Sequence, residues 1–186
     1  MAARLGPRGL VILDRDGVIN RDSRDFVKSA DEWLPLPGSI EAIAALSKGG
    51  FTVVVASNQS GLARGLFGRS ALRGMHRKLR RLVAARGGQV DRIEVCPHGP
   101  DDGCRCRKPG PGLYERLARR YQATLEGVPA IGDSLRDLQA AAAAGASPVL
   151  VRTGNGRRTE TSLPVEFRGV PVYDDLAAAA AALLKQ

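Results

Sequence analysis

The chain of 186 residues has few aromatic side chains, which make up 4% of it, and only three cysteines and two histidines. No apolar run approaches the about 20 residues that a membrane helix needs. Met1 to Gly9 also lacks the apolar core of a signal peptide. We therefore expect a cytoplasmic protein that does not engage a membrane. The shortage of aromatics leaves no visible stacking platform for single-stranded nucleic acid.

Acidic residues are also in the minority. The chain has 28 Lys and Arg against 19 Asp and Glu, for a net charge of +9. A basic surface attracts anions such as phosphorylated metabolites or nucleic acid, although charge alone specifies no partner. Five basic residues and His76 crowd one predicted helix, which favours a solvated face with a surface histidine; salt-dependent nucleic-acid binding is the open alternative. The five are Arg73, Arg77, Lys78, Arg80 and Arg81.

Strand-like and helix-like patterns alternate along the chain. The predicted strands are 9–13, 51–56, 90–95, 129–131, 148–151 and 170–173. The predicted helices are 37–48, 70–86, 111–121, 135–144 and 174–185. This alternation predicts an α/β fold, a doubly wound parallel sheet with helices on both faces, within one domain over 1–186. The weakly patterned stretch 152–169 is predicted to be a mobile loop.

Two carboxylates follow the first predicted strand, at the sheet edge where such folds bind ligands. They are Asp14 and Asp16, and Gly17 after them permits a sharp turn. An aspartate can attack phosphorus, and a second acid can protonate the leaving oxygen and then deprotonate water. Because carboxylate and phosphate repel each other, this chemistry needs a divalent cation. The alternative is an ordinary turn, where Asp and Gly are common.

All three cysteines and one of the two histidines fall within eleven positions. An odd cysteine number argues against a disulfide framework, and Cys₃His is a typical ligand set of closed structural zinc sites. We expect one zinc loop over about 96–106 that stiffens the segment carrying Lys108. Unrelated buried thiols are the alternative. The expected ligands are Cys96, His98, Cys104 and Cys106.

The sequence Asp14-Arg15-Asp16-Gly17 resembles the first motif of the haloacid dehalogenase (HAD) superfamily of phosphatases. Ser57 at a strand end, Lys108 before Pro109, and Asp133 after a strand resemble its other three motifs, in the family's order. The resemblance implies a magnesium-dependent phosphatase with a Rossmannoid core and no large cap domain.

The same resemblance implies a role for each motif residue. Asp14 is the expected nucleophile, which passes through an aspartyl-phosphate, and Asp16 is the general acid and base. Ser57 and Lys108 would stabilise the phosphoryl group. Magnesium would be held by Asp14, Asp133 and the backbone carbonyl of Asp16. Asp137 is expected to support this magnesium site.

The segment Ser57–Gly65 and the cysteine loop resemble, more narrowly, the heptose-bisphosphate and histidinol-phosphate phosphatases of this superfamily. This implies release of the 7-phosphate of D-glycero-D-manno-heptose 1,7-bisphosphate, on the route to nucleotide-activated heptose for lipopolysaccharide. Histidinol phosphate is the alternative substrate. A nucleic-acid 3′-phosphatase and a non-enzymatic zinc module are further alternatives.

The narrower resemblance also implies the sugar contacts of a small phosphorylated substrate, in an enzyme that we expect to be a monomer without a nucleic-acid partner. Relatives often carry a His or Tyr within the loop 21–25, and a Lys where this chain has Ser134. These departures leave Arg24 or Arg136 as candidates for the second phosphate. The expected substrate-binding residues are Asp22, Ser23, Arg24, Asp25, Asn58, Gln59, Ser60 and Arg107.

Overall fold

A computed structural model describes residues 5, 6 and 8–185 and contains one six-stranded parallel sheet. Its strands are β1 (Leu10–Leu13), β2 (Thr52–Asn58), β3 (Arg92–Cys96), β4 (Pro129–Gly132), β5 (Ser147–Val151) and β6 (Val172–Tyr173). Their order across the sheet is β3-β2-β1-β4-β5-β6, and every neighbouring pair is parallel. The predicted doubly wound sheet is confirmed.

Helices cover both faces of the sheet. Alternate residues of β1 point to opposite sides, and those on each side are apolar and must be buried. Val11 and Leu13 join one buried apolar cluster, and Leu10 and Ile12 join another. The helices are α1 (Ser39–Lys48), α2 (Arg69–Ala84), α3 (Gly112–Tyr121), α4 (Leu135–Ala143), α5 (Gly156–Thr161) and α6 (Leu176–Leu184). Helices α1, α2 and α6 pack on the Val11 side, and α3 and α4 on the Leu10 side. No helix in the described part of the chain is long and apolar enough to cross a membrane.

The order of the strands reverses at β1. The chain runs outward from β1 through β2 to β3, then returns to the other side of β1 with β4 and runs outward again. Ligands of such sheets bind where the order switches, outside the carboxyl ends of the strands. Asp14 and Asp133 directly follow β1 and β4, and the Asp14 amide donates to the Ile131 carbonyl at 2.8 Å. The fold therefore brings the first and fourth motifs together.

The prediction of a mobile loop over 152–169 is wrong. This segment contains α5 and a 3₁₀ helix over Val165–Phe167. Arg152 anchors its start through ion pairs of 2.7 Å to Glu160 and 2.8 Å to Asp174. Only a few of its residues are buried, so its sequence lacks the apolar periodicity by which longer helices are predicted.

The prediction that His76 lies at the surface is also wrong. Helix α2 packs over the first motif, where the Met75 sulfur lies 4.0 Å from the Arg15 guanidinium. His76 is half-buried beside this contact, and burial lowers its pKa to about 4, helped by the charges of Arg15 and Arg80. At neutral pH it is therefore an uncharged side chain behind the site.

Candidate active site

Lys108 lies at the centre of the candidate site and is only 2% exposed. Its ammonium contacts one oxygen of Asp14 at 2.8 Å, one oxygen of Asp137 at 2.5 Å and the Ala56 carbonyl at 2.9 Å. The loop that carries it is fixed by Asn58, whose side-chain amide exchanges two hydrogen bonds with the Lys108 backbone at 3.0 and 3.1 Å. Asn58, an expected sugar contact, thus holds the third motif against the end of β2.

The charges near Lys108 do not balance, because its ammonium contacts two members of a cluster of three carboxylates, Asp14, Asp133 and Asp137. Burial, together with Asp137 and Asp133, raises the pKa of Asp14 to about 8 against the opposing effect of Lys108. Burial and Asp137 likewise raise the pKa of Asp133 to about 7. Burial alone would lower the pKa of Lys108, but Asp137 and Asp14 raise it above its usual range. A further cation would relieve this excess of negative charge.

The residues present fit a magnesium ion, which prefers oxygen ligands. Ligand oxygens of Asp14, Asp133 and Asp137 lie within 4.8 Å of one another. Both oxygens of Asp137 are already engaged, one by Lys108 and the other by the backbone and hydroxyl of Ser134 at 3.0 and 2.5 Å. Asp137 thus caps α4 and holds Lys108, as expected of a supporting residue. Asp14 and Asp133 are left as candidate metal ligands.

Asp16 is held as an anion by three neighbours. Buried Arg15 donates from two nitrogens at 2.7 to 3.1 Å, and Asn20 and Gln59 each donate at 2.8 Å. Burial opposes its ionisation, but Arg15, Asn20 and Gln59 keep the pKa of Asp16 below its usual value. To hold a proton, the carboxylate has to give up part of this set. Its role as general acid and base stays a prediction.

Gln59 links Asp16 to the second motif. The same side-chain nitrogen that donates to Asp16 also donates to the Ser57 hydroxyl at 2.8 Å. Gln59 was expected to contact the sugar, and the structure adds this connection between two motif residues. Arg15 and Asn20 were missed as functional residues, because nothing in a lone arginine or asparagine beside a motif indicates which way its side chain points.

A cavity of about 400 Å³ opens above these residues. Most of the expected substrate contacts line it, together with Arg136 and the unpredicted Phe26, Arg64 and Phe67. Arg24 and Asp25 are exposed and do not line it, and their assignment as sugar contacts stays a prediction. The backbone turns at Phe26, which has a φ of 63°, and the Phe26 ring lines the cavity instead. The expected contacts that do line it are Asp22, Ser23, Asn58, Gln59, Ser60 and Arg107.

The four expected zinc ligands come together at the end of β3. The three sulfurs lie 3.2 to 3.6 Å apart, and the His98 Nδ1 lies 3.3 Å from Cys106 and 3.6 Å from Cys96. Sulfurs bound at about 2.3 Å to one tetrahedral zinc are about 3.8 Å apart. Donor types and spacing therefore fit a closed zinc site. The Arg107 guanidinium donates to the His98 carbonyl at 3.3 Å, which ties this cluster to the cavity wall.

Asn155, at the start of α5, is a second residue that sequence reasoning missed. Its backbone amide and side-chain amide donate to one Asp133 oxygen at 2.7 and 3.1 Å. It lies in the segment predicted to be a mobile loop. The glycines on either side of it are the only local signal that a special backbone turn is present.

Two protein-family models match the chain. The polynucleotide kinase 3 phosphatase family matches residues 10–134, more than half of the chain. The HAD-hydrolase-like family matches residues 105–179. Both are phosphatase or hydrolase families, and together they span all four motifs.

Several curated relatives and solved structures are similar over nearly the whole chain. D-glycero-beta-D-manno-heptose-1,7-bisphosphate 7-phosphatase of Bordetella bronchiseptica is 60% identical over 179 residues, covering 95% of this chain and 98% of the relative. The protein of that name from Pseudomonas aeruginosa is 55% identical, covering 96% and 99%.

The structural likeness points the same way. The crystal structure of the D,D-heptose 1,7-bisphosphate phosphatase of B. bronchiseptica, complexed with magnesium and phosphate, superposes with a TM-score of 0.91 at 60% identity and covers 95% of this chain and 98% of that one. The corresponding Burkholderia thailandensis enzyme has a TM-score of 0.74 at 44% identity, covering 96% and 99%.

Proposed function

This chain belongs to the HAD-like D-glycero-beta-D-manno-heptose-1,7-bisphosphate 7-phosphatase family, and from that premise we propose that it removes the 7-phosphate of this sugar bisphosphate. The chain is thus a phosphatase, acting on phosphate monoesters. The finer proposal adds magnesium dependence, an aspartyl-phosphate intermediate and a place in the supply of activated heptose for lipopolysaccharide.

The buried contact between Asp14 and Lys108 is the observation that carries the mechanism. Asp14 and Lys108 line the cavity and lie 2.8 Å apart. The positive charge of Lys108 would offset the repulsion between the Asp14 carboxylate and an anionic phosphate. In the first step an Asp14 oxygen attacks phosphorus, the phosphorus–oxygen bond to the sugar breaks, and Asp16 gives its proton to the departing oxygen. In the second step water attacks phosphorus, Asp16 takes the water proton, and the Asp14–phosphorus bond breaks.

The remaining residues bind and compensate charge. Ser57 and Lys108 hold the phosphoryl oxygens as the reaction proceeds. Magnesium, when bound by Asp14, Asp133 and the backbone carbonyl of Asp16, supplies the charge compensation that phosphoryl transfer needs. The second phosphate of the substrate would meet the arginines that line the cavity. These are Arg64, Arg107 and Arg136, since the fourth, Arg15, already pairs with Asp16.

A second candidate function follows from the family match over residues 10–134. That family acts, by its name, as a polynucleotide 3′-phosphatase, and the net charge of +9 would favour a nucleic-acid substrate. The cavity offers only Phe26 and Phe67 as aromatic rings among the described residues that line it. The high identity to heptose-bisphosphate phosphatases makes the sugar substrate our first choice.

Phosphate release tests both candidates. The substrates are both anomers of heptose 1,7-bisphosphate, histidinol phosphate and a 3′-phosphorylated oligonucleotide, each with magnesium and with EDTA. We expect kcat/KM for a heptose bisphosphate to exceed that for the others by at least about tenfold, and an Asp14→Asn variant to lose about 10³-fold or more in kcat. Preference for either other substrate contradicts the proposed specificity, and activity unaffected by EDTA contradicts the mechanism.

The aspartyl-phosphate can be sought directly. Borohydride added to acid-quenched enzyme during turnover reduces an acyl-phosphate on aspartate to homoserine, which changes the mass of the peptide that contains Asp14. We expect this change in wild-type protein and not in Asp14→Asn. An unmodified peptide under steady turnover would argue for direct attack by water.

A further inference from the structure

The turn over Gly154 and Asn155 packs against the candidate metal ligand Asp133. The Asn155 backbone amide and side-chain amide both donate to the same carboxylate oxygen, Oδ2, at 2.7 and 3.1 Å. One turn further along α5, the Thr159 hydroxyl donates to the Asp133 backbone carbonyl at 2.8 Å. Both ends of Asp133 are therefore held by a segment that follows it by some twenty residues.

The glycine before Asn155 allows this close approach. A Cβ at Gly154 would lie 2.2 Å from Asp133 Oδ2 and 2.5 Å from the Gly17 Cα. Gly154 also has a φ of +57°, a conformation that side chains disfavour. Gly17 closes the other side, because a Cβ there would lie 2.1 Å from the same oxygen. Asp133 Oδ2 thus sits in a slot between two glycines.

The two Asp133 carboxylate oxygens have different surroundings. All donors to the carboxylate in the described part of the chain reach Oδ2, which leaves Oδ1 without a hydrogen-bond donor there. One Asp133 oxygen lies within 4.8 Å of carboxylate oxygens of Asp14 and Asp137. A metal ligand whose other oxygen is held by outer-shell hydrogen bonds is fixed in orientation, and loss of such partners typically weakens metal binding 10- to 100-fold.

We propose that the Gly154–Asn155 turn is a positioning element that orients Asp133 for a divalent cation. The Asn155 side-chain nitrogen also lies 3.3 Å from an Asp22 oxygen, so its two hydrogens serve one carboxylate each. Asn155 therefore joins the metal ligand to the loop that carries the expected sugar contacts. This inference rests on the proposed magnesium site and not on the identity of the sugar.

Two variants test the proposal. Asn155→Ala removes only the side-chain donor from an exposed residue, and Gly154→Ala pushes a methyl group against Asp133. Gly127→Ala is the matched control, because Gly127 has a φ of +73° but no atom within 4 Å of its added Cβ. The protein keeps its zinc, and its magnesium is removed by dialysis against metal-free buffer. Magnesium chloride alone is then titrated by calorimetry, and its effect on Tm is recorded.

We expect the Kd for magnesium to rise about tenfold in Asn155→Ala and more in Gly154→Ala. Gly127→Ala should lower Tm through backbone strain and keep the wild-type Kd. As a second measurement, the magnesium concentration for half-maximal activity should rise with the Kd in both site variants, while kcat at saturating magnesium returns to within about threefold of wild type.

Wild-type Kd values in both site variants would overturn the proposal. It would also fail if Gly127→Ala weakened magnesium binding as much as Gly154→Ala, since backbone strain alone would then account for the loss. These results are distinct from failure of the proposed function, in which wild-type protein itself neither binds magnesium nor needs it for turnover.

Discussion

At the scale of single residues, Lys108 matters most to the candidate site because it is buried among opposite charges. Its ammonium contacts carboxylate oxygens of Asp14 and Asp137, and neither carboxylate has much access to water. Replacing one member of a buried ion pair leaves its partner uncompensated, which typically costs 3–5 kcal/mol. Lys108, which would bind the phosphate, is therefore also expected to stabilise the fold.

Substituting Lys108 tests that double role. We expect Lys108→Met to lower the free energy of unfolding by about 3 kcal/mol in the absence of magnesium. Urea titration followed by circular dichroism measures this loss. Exposed Lys48→Met is the control and should change stability by no more than about 0.5 kcal/mol. Equal stability of the two variants would mean that Asp14 and Asp137 are compensated in another way.

At the scale of elements, the cysteine loop joins β3 to the segment carrying Lys108. Cys96 ends the strand, Cys106 stands two positions before Lys108, and Arg107 contacts the His98 carbonyl. Burial raises the pKa of the Cys96 thiol to about 12, so in the absence of metal this sulfur stays protonated. Zinc would replace that proton and tie both ends of the loop together.

Loss of one zinc ligand should therefore weaken the neighbouring site. We expect Cys104→Ser to lose bound zinc, to melt at a lower temperature, and to lose about tenfold or more in kcat because Arg107 and Lys108 are no longer held. Elemental analysis, thermal unfolding and phosphate release measure the three effects. Asp101→Asn, at an exposed position of the same loop, should keep all three. Full activity and Tm in zinc-free Cys104→Ser would contradict the role given to the metal.

The elements also show what the sequence could and could not predict. Strands and helices with several buried apolar residues were placed within one to two residues of their observed ends, since periodicity records which face is buried. The α5 segment was not predicted, because few of its residues are buried and its ordered contacts are distant in sequence. Asn155 at its start contacts Asp133 and Asp22, which are 22 and 133 positions away. Motif order identified Asp14, Ser57, Lys108 and Asp133 as candidates. It could not reveal the partners Arg15 and Asn155, whose importance depends on side-chain direction.

At the scale of the whole molecule, the net charge and the charge of the candidate metal-binding cluster have opposite signs. The chain carries +9, yet Asp14, Asp133 and Asp137 form a carboxylate cluster of which Lys108 contacts two members. Burial, together with the neighbouring carboxylates, raises the pKa of Asp14 to about 8 and that of Asp133 to about 7. The basic exterior can attract a phosphorylated substrate, while the acidic interior is suited to a cation.

These raised carboxylate pKa values predict how the stabilisation by magnesium changes with pH. The folded-state pKa of Asp133 is raised above its unfolded value, so its contribution to stability is present at low pH and is lost as the pH rises through about 7. Magnesium binds the ionised carboxylates, so the rise in Tm on adding magnesium should grow between pH 6 and pH 8.5. Thermal unfolding with and without magnesium measures this difference. In an Asp133→Asn variant, the rise in Tm on adding magnesium should change little with pH. If this rise stays constant or shrinks with pH in the wild-type protein, the assignment of Asp133 as a magnesium ligand is contradicted.

The central position of β1 has a consequence for synthesis on the ribosome. β1 pairs with β2, which follows soon after it, and with β4, which begins only at Pro129. Until that strand emerges from the exit tunnel, one edge of the apolar β1 strand has unpaired backbone groups and can associate with other chains. A nascent chain stalled before residue 129 would therefore be an aggregation-prone fragment that lacks the candidate metal ligand Asp133, and chaperone protection should matter most over that interval.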